Sequence, residues 1–359
     1  MQKKLIALAI ASAFVAPAFA ATSNVEIGGG LNFSVDYLDA DTASQDGNLN
    51  VSSNSSNIYF KGTEDLGGGL KALWHIQTYF SAGGTGNADT GVAGEAVKDG
   101  VASGNTYVGL TGGFGTVLLG RMEAPAKLVG RKVDLFGDQL GDNRNLLSKP
   151  NGKTNGFDLR PNNTMAYATP NISGLVGTLA YVTNVGDTGA ATEASTTAWS
   201  ASGVYENGPL MLALGYQRHN VDAANLDESV LRLSGSYSMG DLRFVGIYQK
   251  ADNDATGAND ADVNTWGLGA AYKMGAITLK GQYYSAGEAD DVANSDADMW
   301  ALGVDYALSK RTTTYAAYAS TDNEGAAKYS AFGGGHGDQP TIAVGGNPSG
   351  FQIGVKHTF

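Results

Sequence analysis

The chain contains no cysteine in its 359 residues, so neither a disulfide framework nor a thiolate metal site holds it together. It has four histidines, His75, His219, His336 and His357. None forms a His-x-x-x-His pair or stands beside a recognisable nucleophile motif, so the sequence signatures of zinc hydrolases and serine hydrolases are missing. Positive charge is in deficit: 23 Lys and Arg face 35 Asp and Glu, and the net charge of −12 argues against a nucleic-acid partner. After residue 20 no run of about 18 apolar residues occurs, so that part of the sequence offers no helix able to cross a bilayer. These absences leave an exported soluble protein or one that crosses a membrane as strands.

Export is read from "MQKKLIALAIASAFVAPAFA", residues 1–20. Lys3 and Lys4 precede an apolar run from Leu5 to Val15, and Ala18-Phe19-Ala20 is a small-x-small signal-peptidase pattern. A membrane anchor would need a longer apolar stretch and a charged stop after it. The expected division is a signal peptide over 1–20 and one domain over 21–359. Removing Lys3 and Lys4 moves the net charge from −12 to −14.

Glycine is abundant, at 51 residues, alongside 17 tyrosines and a mean hydropathy of −0.16. Ordinary globular chains carry roughly 7% Gly, and strands that alternate apolar with polar residues average to such a middling hydropathy. In "LMLALGYQ" (210–217), Leu210, Leu212, Leu214 and Tyr216 share a face. "VLRLSGSYSM" (230–239), "WGLGAAYKM" (266–274) and "MWALGVDYAL" (299–308) repeat the pattern, at a length of about nine or ten residues that suits a tilted strand in a bilayer. Connectors alternate too. "SMGD" (238–241), "KMGA" (273–276) and "LSKR" (308–311) are tight, whereas 250–264 and 285–298 are long and acidic. Roughly 21 residues per strand and connector give about 16 strands. A soluble sandwich or solenoid also alternates, but gives no reason for Trp266, Tyr237, Tyr272 and Trp300 to collect at strand ends. The fold expected is all-β, a transmembrane antiparallel barrel with short periplasmic turns and long extracellular loops. The final strand "FQIGVKHTF" (351–359) closes it, and Phe359 belongs to an aromatic girdle.

Several blocks resemble the general porins of Gram-negative outer membranes, especially their trimeric 16-stranded branch. They are "IYFKGTEDLGGGLKALWHIQTYF" (58–80), "YVGLTGGFGTVLLGR" (107–121), "PNNTMAYATPNISGL" (161–175), "YALSKRTTTYAAYA" (306–319) and "GVKHTF" (354–359). The resemblance implies a passive, water-filled channel for small hydrophilic solutes and ions, a homotrimer with no cofactor, contacts with outer-membrane lipid and lipopolysaccharide, and a terminal Phe359 read by barrel-assembly machinery. It also implies that residues 122–160 fold into the pore. Glu123, Asp134, Asp138 and Asp142 on that loop, with Phe136-Gly137 at its tip, would face Lys61, Arg121 and Arg160 on the wall and set a transverse field. The family pattern is incomplete: Asn57 and Tyr59, Gly104 and Leu135 stand where many members carry Arg, Arg and Glu. Arg232, Arg243, Lys273 and Lys280 have lumenal parity and can compensate. From these acids and the depleted arginines a weak cation preference is expected.

Two other classes compete with a channel. A barrel enzyme needs a nucleophile, base and orienter, and none of the four histidines supplies such a set. A calcium-binding repeat protein or adhesin finds support only in "GGGHGDQP" (333–340), which occurs once. A solute-selective channel would show an aromatic slide or a dense lysine array, neither evident in the sequence. The acidic loops at 250–264 and 285–298 read as solvated, with divalent-cation bridging to lipopolysaccharide as the alternative.

Overall fold

A computed structural model describes residues 23–42, 47–80, 101–148, 150, 156–185, 196–221, 226–253, 262–290 and 292–359. The expected signal segment and the centre of loop 250–264 lie outside the described residues.

One antiparallel sheet closes on itself. Its strands are β1 (Ser23–Asp39), β2 (Asn48–Ser53), β3 (Asn57–Gly67), β4 (Leu70–Tyr79), β5 (Thr106–Gly112), β6 (Gly115–Arg121), β7 (Thr164–Ala168), β8 (Leu175–Val182) and β9 (Thr196–Asn207), followed by β10 (Leu210–Val221), β11 (Leu226–Met239), β12 (Leu242–Asn253) and β13 (Val263–Met274). β14 (Ile277–Ala286), β15 (Ala297–Ala307), β16 (Thr312–Asn323) and β17 (Ser349–Thr358) complete the wall. One edge of β1 pairs with β17 from Gly30 to Asp39; the other pairs with β2 from Phe33 to Leu38 and with β3 from Ser23 to Gly30. β2 and β3 are therefore halves of a single barrel strand, interrupted at Asn54-Ser55-Ser56, where Ser55 has φ 56°. The barrel is 16-stranded, as the sequence predicts, with its second strand broken. Phe359 extends the closure, its N–H and C=O each bonding Gly29 at 3.2 Å.

The faces are inverted relative to a soluble protein. Leu268 and Leu302 are 60% and 59% exposed on the outside, while Arg232 and Gln249 are fully buried on the inside. A wall that exposes apolar side chains and hides polar ones suits a lipid exterior, and closure leaves no unpaired edge there. Outward aromatic pairs, Trp266 with Tyr283 at 5.4 Å and Trp300 with Tyr318 at 5.2 Å, lie toward the long-loop end. Tyr237, Tyr272 and Tyr306 are exposed toward the tight-turn end. β10 to β13 run 12 to 14 residues, beyond the about nine to eleven a bilayer needs. The extra residues prolong the wall at the long-loop end. At the tight β3–β4 turn, Gly67, Gly68 and Gly69 all have positive φ, and the Gly67 N–H donates to Asp65 Oδ1 at 2.8 Å.

The constriction and its lining

After Arg121 the chain turns inward. It forms α1 (Pro125–Arg131), with proline in its first turn, and α2 (Arg144–Leu147), and rejoins the wall at Thr164. The apolar core lies inside the barrel, between this loop and the wall. Val129, Val133, Leu146 and Leu147 belong to one cluster with Met211, Ala213, Val245 and Ile247. Phe136 and Leu140 belong to another with Ala301, Ala317 and Ala319. Small wall residues let the loop approach at backbone distance. A Cβ on Gly303 would stand 2.8 Å from Phe136 Cε1; one on Gly141, whose φ is 76°, would stand 2.5 Å from Ala301 Cβ. Part of the glycine excess is thus a docking surface, a role that alternation alone did not disclose.

Arg232 of β11 anchors the loop. Its Nη1 and Nη2 donate to Asp158 Oδ1 and Oδ2 at 2.5 and 3.2 Å, and also to the carbonyls of Ala126 and Leu147; its Nε donates to Gln249. At the loop tip, Lys280 Nζ reaches Gln139 Oε1 at 2.9 Å, Asp305 Oδ1 at 3.0 Å and the Phe136 ring at 4.6 Å.

The structure places the expected site residues as follows. Arg131 bonds Asp134, Asp138 and Asp142 at 3.4, 3.1 and 2.9 Å, and Arg144 bonds Asp138 and Asp142 at 2.7 Å each. Glu123 meets Lys127 at 3.2 Å and Arg160 at 3.1 Å. Arg160 also donates to Asn105 and to the Tyr79 hydroxyl. Arg121 donates to Ser103 O and Asn162 Oδ1. Lys61 pairs with Glu26 at 2.9 Å and lies over Tyr59. Glu123 meets Arg160, whereas Asp134, Asp138 and Asp142 are paired within the loop, because Arg131 and Arg144 fold back on them. The i,i+3 spacing of Arg131 and Asp134 was the available signal.

Burial, reinforced by the Asp142 carboxylate, pushes Asp134 up to about 7. Against the same burial, Arg144 and Arg131 hold Asp142 well below the ordinary carboxylate range, and Arg131 and Arg144 also lower Asp138.

Beneath the loop, on the tight-turn side, two adjoining cavities of about 520 and 380 Å³ open into the lumen. Among the described residues they are lined by the cations Arg243, Lys273, Lys280, Lys310, Arg311 and Lys356 and by the acids Asp134, Asp241 and Asp305. The tight-turn pair Lys310 and Arg311, together with Lys356, is the part of this lining that the parity reading left out. On β3 to β5 the rings of Tyr59, His75 and Tyr107 stack across strands at 5.3 and 5.4 Å. An aromatic row absent from linear inspection therefore exists, because it runs sideways through three strands.

A closed barrel with an apolar exterior, a polar interior and one loop narrowing the passage defines a transmembrane channel of the outer-membrane type. The Gram-negative porin family model matches residues 7–326. Outer membrane porin protein 32 of Delftia acidovorans is 30% identical over the whole of both chains. Major outer membrane protein P.IB of Neisseria meningitidis serogroup B is 28% identical, over 87% of this chain and 91% of that protein. The solved anion-selective porin from Comamonas acidovorans superposes with a TM-score of 0.77 at 27% identity, covering 94% of this chain and all of the other. The chain belongs to the Gram-negative porin family. It is an outer-membrane porin whose water-filled channel passes small hydrophilic solutes and ions by passive diffusion.

Proposed function

We propose that this porin favours anions, the reverse of the preference expected from its acidic sequence. The observation that carries the reading is the distribution of charge below the constriction. The loop carboxylates are neutralised by Arg131, Arg144, Lys127 and Arg160, whereas six cations and three carboxylates line the cavities beneath. Low-dielectric walls focus that field onto permeating ions. The solved relative described as anion-selective supports the same sign. Glu123, Arg160, Lys61 and Arg121 would shape the open side of the passage, while Asp134, Asp138 and Asp142 would act by fixing the loop. Family membership supports a homotrimer in contact with lipopolysaccharide, export by cleavage after Ala20, and recognition of Phe359 during barrel assembly. Passage through such a gap involves no covalent step.

Single-channel recording in a planar bilayer, followed by the reversal potential across a salt gradient, tests the proposal. Steps with an anion-selective potential that falls in a Lys273→Glu, Lys356→Glu double variant are expected. A cation-selective potential in the unaltered protein would reject the preference and leave the channel standing.

A further inference from the structure

The constriction loop docks on one side of the barrel, against Met211, Ala213, Val245 and Ile247 of β10 and β12 and against Ala301, Ala317 and Ala319 of β15 and β16. Solutes therefore pass it on the side of β3 to β5. There Phe60, Ile76 and Val108 are exposed on the lipid face, so Tyr59, Lys61, His75 and Tyr107, their neighbours in sequence, point into the lumen. The rings of Tyr59, His75 and Tyr107 lie 5.3 and 5.4 Å apart, with 27° between adjacent planes. Strands in a sheet are about 4.8 Å apart, so the rings stand off the wall face to face.

Both ends of this ladder are covered. Lys61 Nζ, paired with Glu26 of β1 at 2.9 Å, sits 5.1 Å from the centre of the Tyr59 ring. At the other end Tyr107 packs on Met122 and Ala166, on the side away from β4. The ladder therefore offers the lumen ring edges, and its faces are spent on one another and on the caps. Edges carry the positive part of the aromatic quadrupole and attract the negative face of another π system. A sugar, which lays its C–H groups on an open ring face, finds no such face here.

Beside the ladder, toward the β3–β4 turn, a hollow of about 230 Å³ opens into the lumen. Its two ends differ: β1 and β3 contribute Asn24, Glu26 and Lys61, whereas β4 and β5 contribute Leu73, His75 and Tyr107. Asn24 Oδ1 accepts from the Thr63 N–H and hydroxyl at 3.0 and 2.9 Å, which leaves the amide nitrogen of Asn24 as a donor. An ammonium has three N–H donors, and the contact with Glu26 takes one of those on Lys61. The Glu26 carboxylate is met within the wall, by Lys61 and by the Tyr59 hydroxyl at 3.3 Å. Donors of positive and amide character thus stand at one end of the hollow, and an apolar floor edged by rings at the other.

We propose that this hollow is a binding subsite for planar aromatic carboxylates, with the carboxylate on Lys61 and Asn24 and the ring over Leu73 against the edges of His75 and Tyr107. The inference rests on the anion preference proposed above, which brings such solutes to the passage, and names a class among them.

Benzoate and cyclohexanecarboxylate carry the same charge at about pH 7 and have similar bulk, but only benzoate has a π face. Each is added at rising concentration to single channels of the intact barrel carrying chloride current in a planar bilayer. Benzoate should interrupt the current saturably, with half-block at a concentration about fivefold lower than cyclohexanecarboxylate, the worth of an aromatic pair. His75→Leu, which keeps bulk and removes the middle ring, should bring the two acids together. Lys61→Gln should weaken both and leave their ratio unchanged. Equal block by the two acids in the unaltered protein overturns the proposal, even if neither variant folds. A ratio that survives His75→Leu in conducting channels overturns the placement, and block by glucose at lower concentration than benzoate assigns the row to sugars instead. The reversal potential of the same channels reports separately on the anion preference: an anion-selective potential with equal block removes the subsite alone, and a cation-selective potential with the benzoate ratio intact rejects the preference and keeps the subsite.

Discussion

Removing Arg232 should open the pore without unfolding the barrel. This guanidinium is fully buried, and Asp158, Gln249 and the carbonyls of Ala126 and Leu147 all depend on it. Arg232→Ala leaves a buried carboxylate without its partner and takes one donor from each of two loop carbonyls, of which Leu147 O keeps Gln249 Nε2 at 3.2 Å. Breaking one side of a buried ion pair costs about 3–5 kcal/mol, which shifts the docked-to-released ratio of the loop roughly a hundredfold or more. The cost falls on docking, because the backbone of residue 232 stays in the ladder between Gly215 and Gln249 whichever side chain it carries. Single-channel recording should show larger, noisier steps, while heat-modifiable migration of the barrel stays nearly unchanged. Arg232→Met with Asp158→Leu replaces the pair by apolar groups of similar bulk and should recover most of the quiet conductance, since well-packed apolar replacements are often neutral. Arg232→Ala channels as quiet as the unaltered protein, or a double variant no better than the single one, would refute the reasoning.

Two further outcomes follow from the loop's seating and charge. Gly303→Ala places a methyl 2.8 Å from Phe136 Cε1; it should lift the loop tip and cost about 1–3 kcal/mol of docking, seen as altered conductance, whereas an alanine at exposed Gly240, with nothing within 4 Å of its Cβ, provides a strain control because its φ is 60°. Asp134, raised to about 7, is neutral in mild acid and gains its charge as the pH rises through that value. The stabilisation from holding it protonated is full below its unfolded value of about 3.9 and fades up to about 7. Anion preference measured by reversal potential should therefore decline between about pH 5.5 and about pH 8.5, and Asp134→Asn should remove that decline.

The sequence alone determined the barrel, its strand number and its inside-out faces. Period-two alternation is a local property: Leu231 and Leu233 must face away from Arg232 and Ser234 in any strand, and tight turns such as 238–241 follow from glycine chemistry. The constriction loop was also legible, through its resemblance to a known family. Its electrostatics were not. Whether Asp138 and Asp142 face the wall or Arg131 and Arg144 depends on how the loop folds back on itself, and parity says nothing about a segment that is not a strand. Only tertiary structure could show Gly303 as the seat of Phe136, because the two meet across 167 residues of chain. The same holds for the row formed by Tyr59, His75 and Tyr107, on three consecutive strands and stacked side by side in space. It holds as well for the break at Asn54-Ser55-Ser56, where the Ser55 hydroxyl reaches Asp138 of the constriction loop. Alternation sets which way a side chain points, and closure of the barrel decides what it finds there.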